Sequence, residues 1–312
     1  YYRGKMICKH TSLLVKLNHI NLDQLNLYTY WWLDEAIGIC LFKSKNKQVK
    51  AFTRAHRYDL YFYTNPYHYL PLKQYTSQCL DKIYPISEDG KSYIFSHMHI
   101  KNTEVHKLGT PKAVDFVSNI EPQKRLLLIS CAKIYPNKNI IKIAEALYKL
   151  SHISIEWVHF GDYIKNYSDI YYRDLIDLTE KLKKLHPINI IFKGDVSNAQ
   201  ILDFYKNEKP DLFINLSDSE GIPVSIMEAM SYGVPCIATA VGGTPEIVKH
   251  KYNGFLLPIN TTSEEVAKTI SYFYSLVDKE KTLLRENAYH TWNTEYNADK
   301  NYPQFIHAIS HL

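Results

Sequence analysis

The sequence predicts an α/β protein with a doubly wound parallel sheet in the second part of the chain and a less regular first part. Its 312 residues correspond to about two domains at roughly 150 residues each. From residue 125 onward, short apolar runs alternate with segments of helical periodicity, which is the pattern of a parallel sheet covered by helices. Residues 109–124 include Pro111 and Pro122 and have the composition of a linker, which places the domain boundary between residues 122 and 123.

The second part of the chain carries the clearest elements. The strand predicted at 125–130 is built on a continuous apolar run, typical of a strand buried on both faces of a sheet. The apolar positions of residues 139–150 recur with a helical period. By the same criteria, further strands are predicted at 155–160, 189–192, 211–216 and 235–239, and further helices at 171–185, 198–205, 223–232 and from 245 onward.

The first part is less regular, and only two or three strand–helix units are legible in it. Trp31 and Trp32 lie in an apolar segment with helical periodicity. Pro303 predicts a break or kink in a helical C-terminal tail, which is expected to pack back on the first domain. Strands are predicted at 47–53 and 82–86 and a helix at 27–42, and the predicted limits are 1–122 and 123–292 for the domains and 293–312 for the tail.

Composition excludes several classes of protein. The chain is 46% hydrophobic and 22% charged, as in soluble globular proteins, and no apolar run approaches the 18 or so residues of a membrane-spanning helix. Its five cysteines are dispersed and form no CxxC pair, which predicts free thiols in a reducing compartment such as the cytoplasm. The net charge of +5 is concentrated in residues 1–122, where it could attract an anionic partner.

Residues 211–248 hold the densest cluster of functional signals. A polar loop with Asp218 and Glu220 follows a predicted strand, and Pro223 stands at the favoured first position of the next helix. Ligands of doubly wound sheets bind at this end of the strands, where helix N-termini attract phosphate. Glu228 lies on the same helix, where a carboxylate can accept two hydrogen bonds from the vicinal diol of a ribose.

Two further elements converge on the same edge of the predicted sheet. Lys133 and Lys138 follow the strand at 125–130 and could neutralise a diphosphate. Gly242 and Gly243 follow the strand at 235–239, and their lack of a side chain permits close approach of the backbone to a ligand. Together these positions predict a site for a phosphate-bearing ligand.

These residues resemble the retaining glycosyltransferases of family 4, which have the GT-B fold of two Rossmann-like domains facing a cleft. The signature of that family is a pair of glutamates separated by seven residues, here Glu220 and Glu228. They stand in the string EGIPVSIMEAM, which is followed by GVPCIAT and GGTPEIV. The resemblance is close over residues 124–260 and looser in the flanks.

The resemblance implies a role for each matched residue. Glu220 corresponds to the glutamate that binds donor-sugar hydroxyls, and Glu228 to the one that holds the nucleotide ribose. Lys133 and Lys138 correspond to an Arg and a Lys on the diphosphate. At Lys133 the point charge of an ammonium group therefore replaces a guanidinium group, which can donate two parallel hydrogen bonds. The other implied donor-binding positions are Gly221, Ile222, Pro223, Val224 and Ser225 at the sugar and diphosphate, and Val196 in the loop that reads the base.

A segment of the first part resembles the capsule and lipopolysaccharide members of the same family. Arg54, His56 and Asp59 reproduce an RxHxxDLY pattern, and the resemblance implies that His56 faces the donor sugar across the cleft. The family's first strand and its glycine-rich loop have no counterpart here, so the first domain is predicted to be incomplete at its start.

The activity that the resemblance implies is sugar transfer from a nucleotide-sugar donor to an acceptor hydroxyl, with retention of configuration, in cell-surface polysaccharide or glycolipid biosynthesis. The expected acceptor is a carbohydrate or lipid-linked molecule, and peripheral contact with the inner membrane face would suit the charge of residues 1–122. No cofactor or metal is expected, because lysines and helix amides neutralise the diphosphate. No nucleic acid partner is expected, because no recognition motif accompanies the charge.

Other functions stay open on the sequence alone. A sugar-nucleotide epimerase of the same architecture would convert the donor without an acceptor, and an inactive nucleotide-sugar-binding module would bind it without turnover. Asp218 and Glu220 also have the spacing of a DxD-like pair, which would hold a metal ion instead of sugar hydroxyls. Donor-dependent release of a nucleoside diphosphate separates the enzyme from the binding module.

Overall fold

The computed structural model describes residues 1–111, 125–185 and 187–311. The chain divides into two compact units, one made of residues 1–108 with the chain from Lys300 onward, and one made of residues 109–299. The domain boundary predicted between residues 122 and 123 lies outside the described residues.

Strands and helices alternate along most of the chain. The strands are β1 (Asn26–Thr29), β2 (Lys50–Ala55), β3 (Lys82–Pro85), β4 (Leu126–Cys131), β5 (Ile155–Phe160), β6 (Ile188–Phe192), β7 (Leu212–Asn215), β8 (Cys236–Thr239) and β9 (Gly254–Leu257). The helices are α1 (Tyr2–Leu17), α2 (Asp34–Lys45), α3 (Arg57–Leu60), α4 (Lys73–Cys79), α5 (Glu88–Met98), α6 (Ile140–Tyr148), α7 (Asp169–Leu185), α8 (Asn198–Glu208), α9 (Val224–Ser231), α10 (Thr244–Ile247), α11 (Ser263–Ser275), α12 (Asp278–Glu295) and α13 (Ala298–Ser310).

The first unit contains a parallel sheet in the order β1-β2-β3. The helix predicted at 27–42 is wrong at its start, because β1 occupies the first of these residues and α2 begins only at Asp34. The Thr29 hydroxyl donates to the Thr53 hydroxyl at 2.7 Å across the β1–β2 pair. Pairing with a buried neighbouring strand therefore overrides the helical periodicity, and Trp31 and Trp32 lie in the loop before α2.

The second unit contains a parallel sheet in the order β6-β5-β4-β7-β8-β9. The strands predicted in this part of the chain correspond to β4–β8, and the prediction of a doubly wound parallel sheet is confirmed. Both β4 and β5 are buried along nearly their whole length, because helices cover both faces. Strand order reverses between β4 and β7, and the carboxyl ends at such a reversal form a crevice for ligands.

The C-terminal region departs from the prediction at one point. α13 runs through Pro303 without interruption, and the break falls instead at Tyr296 and Asn297, between α12 and α13. There the Thr110 amide donates to the Tyr296 carbonyl and the Ala298 amide donates to the Thr110 carbonyl, each at 3.0 Å. Pairing with another segment thus ends the helix. Among the helices of the described residues, none has the length and apolar composition that a membrane crossing requires.

Candidate active site

The loops that follow β4 and β7 are tied to each other. Asn139 has a left-handed backbone with φ of 52°, and its side-chain amide donates to the Leu216 carbonyl at 2.8 Å and to Asp218 Oδ1 at 2.6 Å. In return, the Asp218 amide donates to the Asn137 carbonyl at 2.9 Å. These bonds bring together two loops that are about 80 residues apart in sequence, at the edge where ligands of such sheets bind.

Lys138 and Glu220 meet at this junction. Lys138 Nζ lies 2.5 Å from Glu220 Oε1, and the two side chains are 20% and 12% exposed. Water screens such a partly enclosed pair less than a surface pair. The structure therefore joins the lysine predicted at the diphosphate to the glutamate predicted at the donor sugar.

Lys133 lies on the same loop but has a different partner. Its ammonium group contacts Asp195, and both side chains are about half exposed. The hydrogen bond from Lys133 lowers the pKa of Asp195 below its ordinary value. The other oxygen of Asp195 accepts the Asp162 amide at 3.1 Å. Because exposed ion pairs contribute little, Lys133 is held less firmly than Lys138.

A buried hydrogen-bond chain, which the sequence analysis did not identify, fixes the start of this loop. Trp157 Nε1 donates to Ser130 Oγ at 2.8 Å, and Ser130 Oγ lies 2.8 Å from His159 Nδ1. His159 Nε2 lies 3.1 Å from the Ala132 carbonyl. Since a carbonyl only accepts, Nε2 carries the proton of the neutral ring and donates it to Ala132, and Nδ1 accepts from the Ser130 hydroxyl.

His159 is therefore held neutral. It is fully buried, and burial lowers its pKa from 6.5 to about 4. The sequence signal for it is a polar residue in a mostly apolar strand, and that signal alone names no partner. This hydrogen-bond chain ends on the Ala132 carbonyl, directly before Lys133, and so sets the direction in which the loop leaves β4.

The pair Gly242 and Gly243 supports the loop before α9. Gly242 has a φ of +48°, and a Cβ there would lie 1.9 Å from the Glu220 carbonyl oxygen. The Gly243 amide donates to the Gly221 carbonyl at 2.7 Å. The close approach was predicted to a ligand, whereas the one that the structure shows is to the backbone of the loop that carries Glu220. A side chain at residue 242 would push this loop away.

The residues predicted around the helix N-terminus lie together. α9 begins at Val224, with Pro223 at the N-cap, one residue later than predicted. Ile222 is buried, Ser225 is half-buried, and the Val224 side chain is exposed. The first amides of a helix have no partner within it, so this end of α9 offers N–H donors to an anion.

Glu228 lies one turn into α9. The Asn198 side-chain amide donates to Glu228 Oε1 at 2.7 Å, and burial raises the pKa of Glu228 while this bond opposes the rise. Its second oxygen remains able to accept. Val196 lies just before α8 and lines an open groove of about 480 Å³ together with Phe160, Lys193, Ala199, Gln200, Asp203, Phe204, Asn207 and Glu208.

His56 belongs to the first unit, at the carboxyl end of β2. Its ring is 6% exposed and packs on Tyr30 and Trp31, with ring centroids 4.5 and 4.4 Å away. The buried Asp59 accepts the main-chain amides of His56 and Trp32, each at 2.6 Å. The sequence resemblance includes Asp59 without a role. In the structure it ties the loop after β1 to the loop after β2.

Residues 111–291 match the family described as glycosyl transferases group 1. The chain belongs to this family. The matched segment includes every candidate residue of the second unit, from Lys133 to Glu228. His56 lies outside it.

Two curated members show how far the similarity extends. The chain is 30% identical over 130 residues to the N-acetyl-alpha-D-glucosaminyl L-malate synthase of Bacillus anthracis, covering 41% of this chain and 30% of that protein. It is 31% identical over 132 residues to the UDP-Gal:alpha-D-GlcNAc-diphosphoundecaprenol alpha-1,3-galactosyltransferase of Escherichia coli, covering 41% and 31%. The alignments thus span under a third of these relatives.

Two solved structures share the fold over nearly the whole chain. A glycosyltransferase from Rickettsia africae has a TM-score of 0.76 at 19% identity, covering 98% of this chain and 80% of that one. HepE of Anabaena, solved with UDP and glucose, has a TM-score of 0.73 at 18% identity, covering 96% and 81%. The GT-B fold predicted from the sequence is confirmed.

Proposed function

We propose that this chain acts as a retaining glycosyltransferase, which moves a sugar from a nucleotide-sugar donor to an acceptor hydroxyl. The contact between Lys138 and Glu220 carries the proposal, because it stands directly before α9, with Glu228 one turn into that helix. A cation, a helix N-terminus and two carboxylates at one sheet edge suit a ligand that has a diphosphate between two sets of hydroxyls. A nucleotide-sugar has this arrangement.

The side chains proposed to bind the donor are already positioned by contacts within the protein. Glu228 is oriented by Asn198 and accepts the ribose hydroxyls with its remaining oxygen. Lys138 and the first amides of α9 stabilise the diphosphate as negative charge develops on it. Glu220 accepts the sugar hydroxyls, and Val196 lies at the base. The departing phosphate takes the acceptor proton, so that no separate base is required. His56 faces the donor sugar.

We propose that turnover needs no divalent metal. Asp218 and Glu220, the pair with DxD-like spacing, each contact a donor of the neighbouring loop, Asn139 and Lys138 respectively. Lys138 and the helix N-terminus supply positive potential at the leaving group. Product formation is expected to persist in excess EDTA and to fall much further in Lys138→Ala. Complete loss in EDTA, restored by Mg²⁺ or Mn²⁺, would contradict the proposal and return Asp218 as a ligand.

We propose a carbohydrate or lipid-linked acceptor at the cytoplasmic membrane face, in the synthesis of a cell-surface polysaccharide or glycolipid. The name of the Escherichia coli relative includes a diphosphoundecaprenol acceptor. The cysteines Cys8, Cys40, Cys79, Cys131 and Cys236 are free, which suits a reducing compartment. Flotation with anionic and neutral liposomes tests the membrane contact, and equal recovery with both would remove it.

A donor screen tests the activity itself. Calorimetry with UDP-, GDP- and ADP-sugars identifies the donor, and product analysis with that donor follows. Glu228→Gln is expected to weaken nucleoside diphosphate binding, whereas Glu220→Gln keeps that binding and loses turnover. Glu145→Gln on α6 is the matched control. Conversion of the donor sugar without an acceptor would indicate an epimerase, and binding without any turnover would indicate a binding module.

A further inference from the structure

Arg54, in the first unit, is a buried charge for which the described residues supply no hydrogen-bond acceptor. Its side chain is 1% exposed, and none of Nε, Nη1 and Nη2 has a partner within the described residues. Burial lowers the pKa of Arg54. An ionised group that is removed from water without a partner costs several kcal/mol, so buried charges are normally paired. This arginine therefore needs an explanation other than stability.

Aromatic side chains surround the guanidinium. Its Cζ lies 4.1 Å from the ring centroid of Phe305 and 5.7 Å from that of Tyr302, both on α13. Arg54 and Tyr84 are direct neighbours in the β2–β3 register, and the buried Tyr84 hydroxyl has no partner within the described residues either. Two donor groups that no described residue pairs therefore stand side by side. We call this cluster the Arg54 box; its walls are Tyr28, Tyr30, Tyr84, Tyr302 and Phe305.

The box lies at the end of the sheet where ligands bind. Arg54 is the penultimate residue of β2, whose carboxyl end leads into His56. Tyr302 and Tyr30 are 40% and 46% exposed, so the cover over the guanidinium includes side chains that reach solvent. Rotation of an exposed tyrosine would open the box without unfolding of the sheet.

Arg285 in the second unit shows how this chain buries an arginine for structural purposes. It is 7% exposed, and Nη1 and Nη2 donate to the carbonyls of Pro210 and Tyr232 at 2.9 and 3.5 Å. Asp211 is close enough to oppose the fall of its pKa, which burial brings to about 10. Among the residues that the structure describes, Arg54 has neither such carbonyl acceptors nor a carboxylate.

We propose that Arg54 is the anion-binding residue of the acceptor site, and that the acceptor carries a phosphate or carboxylate group which the Arg54 box binds. The inference rests on the proposed glycosyltransferase function. The guanidinium donates two parallel hydrogen bonds to the anion, and the Tyr84 hydroxyl supplies a third donor. The aromatic walls exclude water and so strengthen these bonds.

Calorimetric titration with inorganic pyrophosphate tests the site on the full chain. Arg54→Met keeps the stem and loses the charge, Arg57→Met is the matched control, and Lys138→Met reports on the donor site. We expect one set of pyrophosphate sites to be lost in Arg54→Met, another in Lys138→Met, and neither in Arg57→Met. Arg54→Lys is expected to bind about tenfold more weakly, because a point charge replaces the fork. Titration with malonate then separates carboxylate from phosphate recognition.

Thermal unfolding separates a ligand site from a structural clamp. Arg54→Met is expected to melt no lower than the wild type, because it removes an unpaired buried charge, whereas Arg285→Met is expected to melt lower. Unchanged pyrophosphate and malonate binding in Arg54→Met, or a loss of stability that matches Arg285→Met, would overturn the inference. Retained pyrophosphate sites in Lys138→Met would instead count against the proposed donor site.

Discussion

The two units bury a histidine in opposite ways. His159 in the second unit uses both ring nitrogens, between the Ser130 hydroxyl and the Ala132 carbonyl. His56 in the first unit is nearly as buried, yet neither ring nitrogen has a hydrogen-bond partner within the described part of the chain. The first ring closes a hydrogen-bond chain inside the sheet. The second ring stacks on Tyr30 and Trp31 at the end of a strand, and its Nδ1 lies 3.8 Å from Asp59 Oδ2, beyond hydrogen-bond distance.

This difference separates a positioning role from a ligand-facing one. A buried polar group whose bonds are all made within the protein contributes to stability and to loop direction. A buried polar group with no partner costs stability, and such groups are found where a ligand supplies the missing bonds. By this criterion His159 positions the loop of Lys133, and we propose that His56 faces a substrate.

The largest expected effect is on turnover in His56→Phe. The phenyl ring keeps the stacking on Tyr30 and Trp31 and removes the two polar atoms. Turnover is expected to fall about a hundredfold or more, as for loss of a polar group at the reacting centre, while the free energy of unfolding stays the same or rises. Steady-state rates and urea unfolding are the measurements. Full activity in His56→Phe would contradict the ligand-facing role of His56.

His159→Phe is expected to show the reverse pattern. Removal of the imidazole leaves the proton of the Ser130 hydroxyl without its acceptor and the Ala132 carbonyl without its side-chain donor, while the bond from Trp157 to Ser130 stays. The free energy of unfolding is therefore expected to fall by about 2–3 kcal/mol. His159→Gln, which can restore the donor to Ala132, is expected to recover part of it. Urea unfolding measures both variants. If His159→Phe is as stable as the wild type, the hydrogen bonds through His159 contribute nothing to the free energy of unfolding.

The pH dependence of stability sharpens the same contrast. The pKa of His159 is about 4 in the folded protein against 6.5 in the unfolded chain. The contribution of the neutral His159 to the free energy of unfolding is therefore complete above pH 6.5 and is lost as the pH falls to about 4. Between pH 7.5 and pH 5, the wild type is expected to lose about 2 kcal/mol more than His159→Phe. Urea unfolding at both pH values checks this. Identical slopes would contradict the assignment.

The smallest effect is expected at the exposed ion pair of Lys133. Asp195→Asn removes the carboxylate and leaves the lysine free, and no measurable change in melting temperature is expected, because exposed pairs are screened by water. Asp218→Asn, at the tied junction of the two loops, is the comparison variant. A large fall in melting temperature for Asp195→Asn would show that Lys133 is fixed as firmly as Lys138.

Part of the candidate site could be predicted because its signals are local. The strand before Asp218, the polar loop and the helix after Pro223 follow each other in the chain, so they indicate the position of Glu220 and Glu228 at a sheet edge. The prediction failed at β1, where helical periodicity competed with pairing to a distant strand. It also failed at Pro303, because contact between Thr110 and Tyr296 decides where the helix ends.

The sequence by itself determined the fold class, the order of strands and helices in the second unit, and the residues near the carboxyl ends of its strands, since these depend on periodicity and turn chemistry within short segments. Only the tertiary structure decided which polar groups are paired. Lys138 meets Glu220 across about 80 residues, His159 reaches Ala132, and Arg54 is buried against α13 from the other end of the chain. The physical reason is that hydrogen bonds and ion pairs act over a few ångströms, and long-range packing sets which side chains come that close.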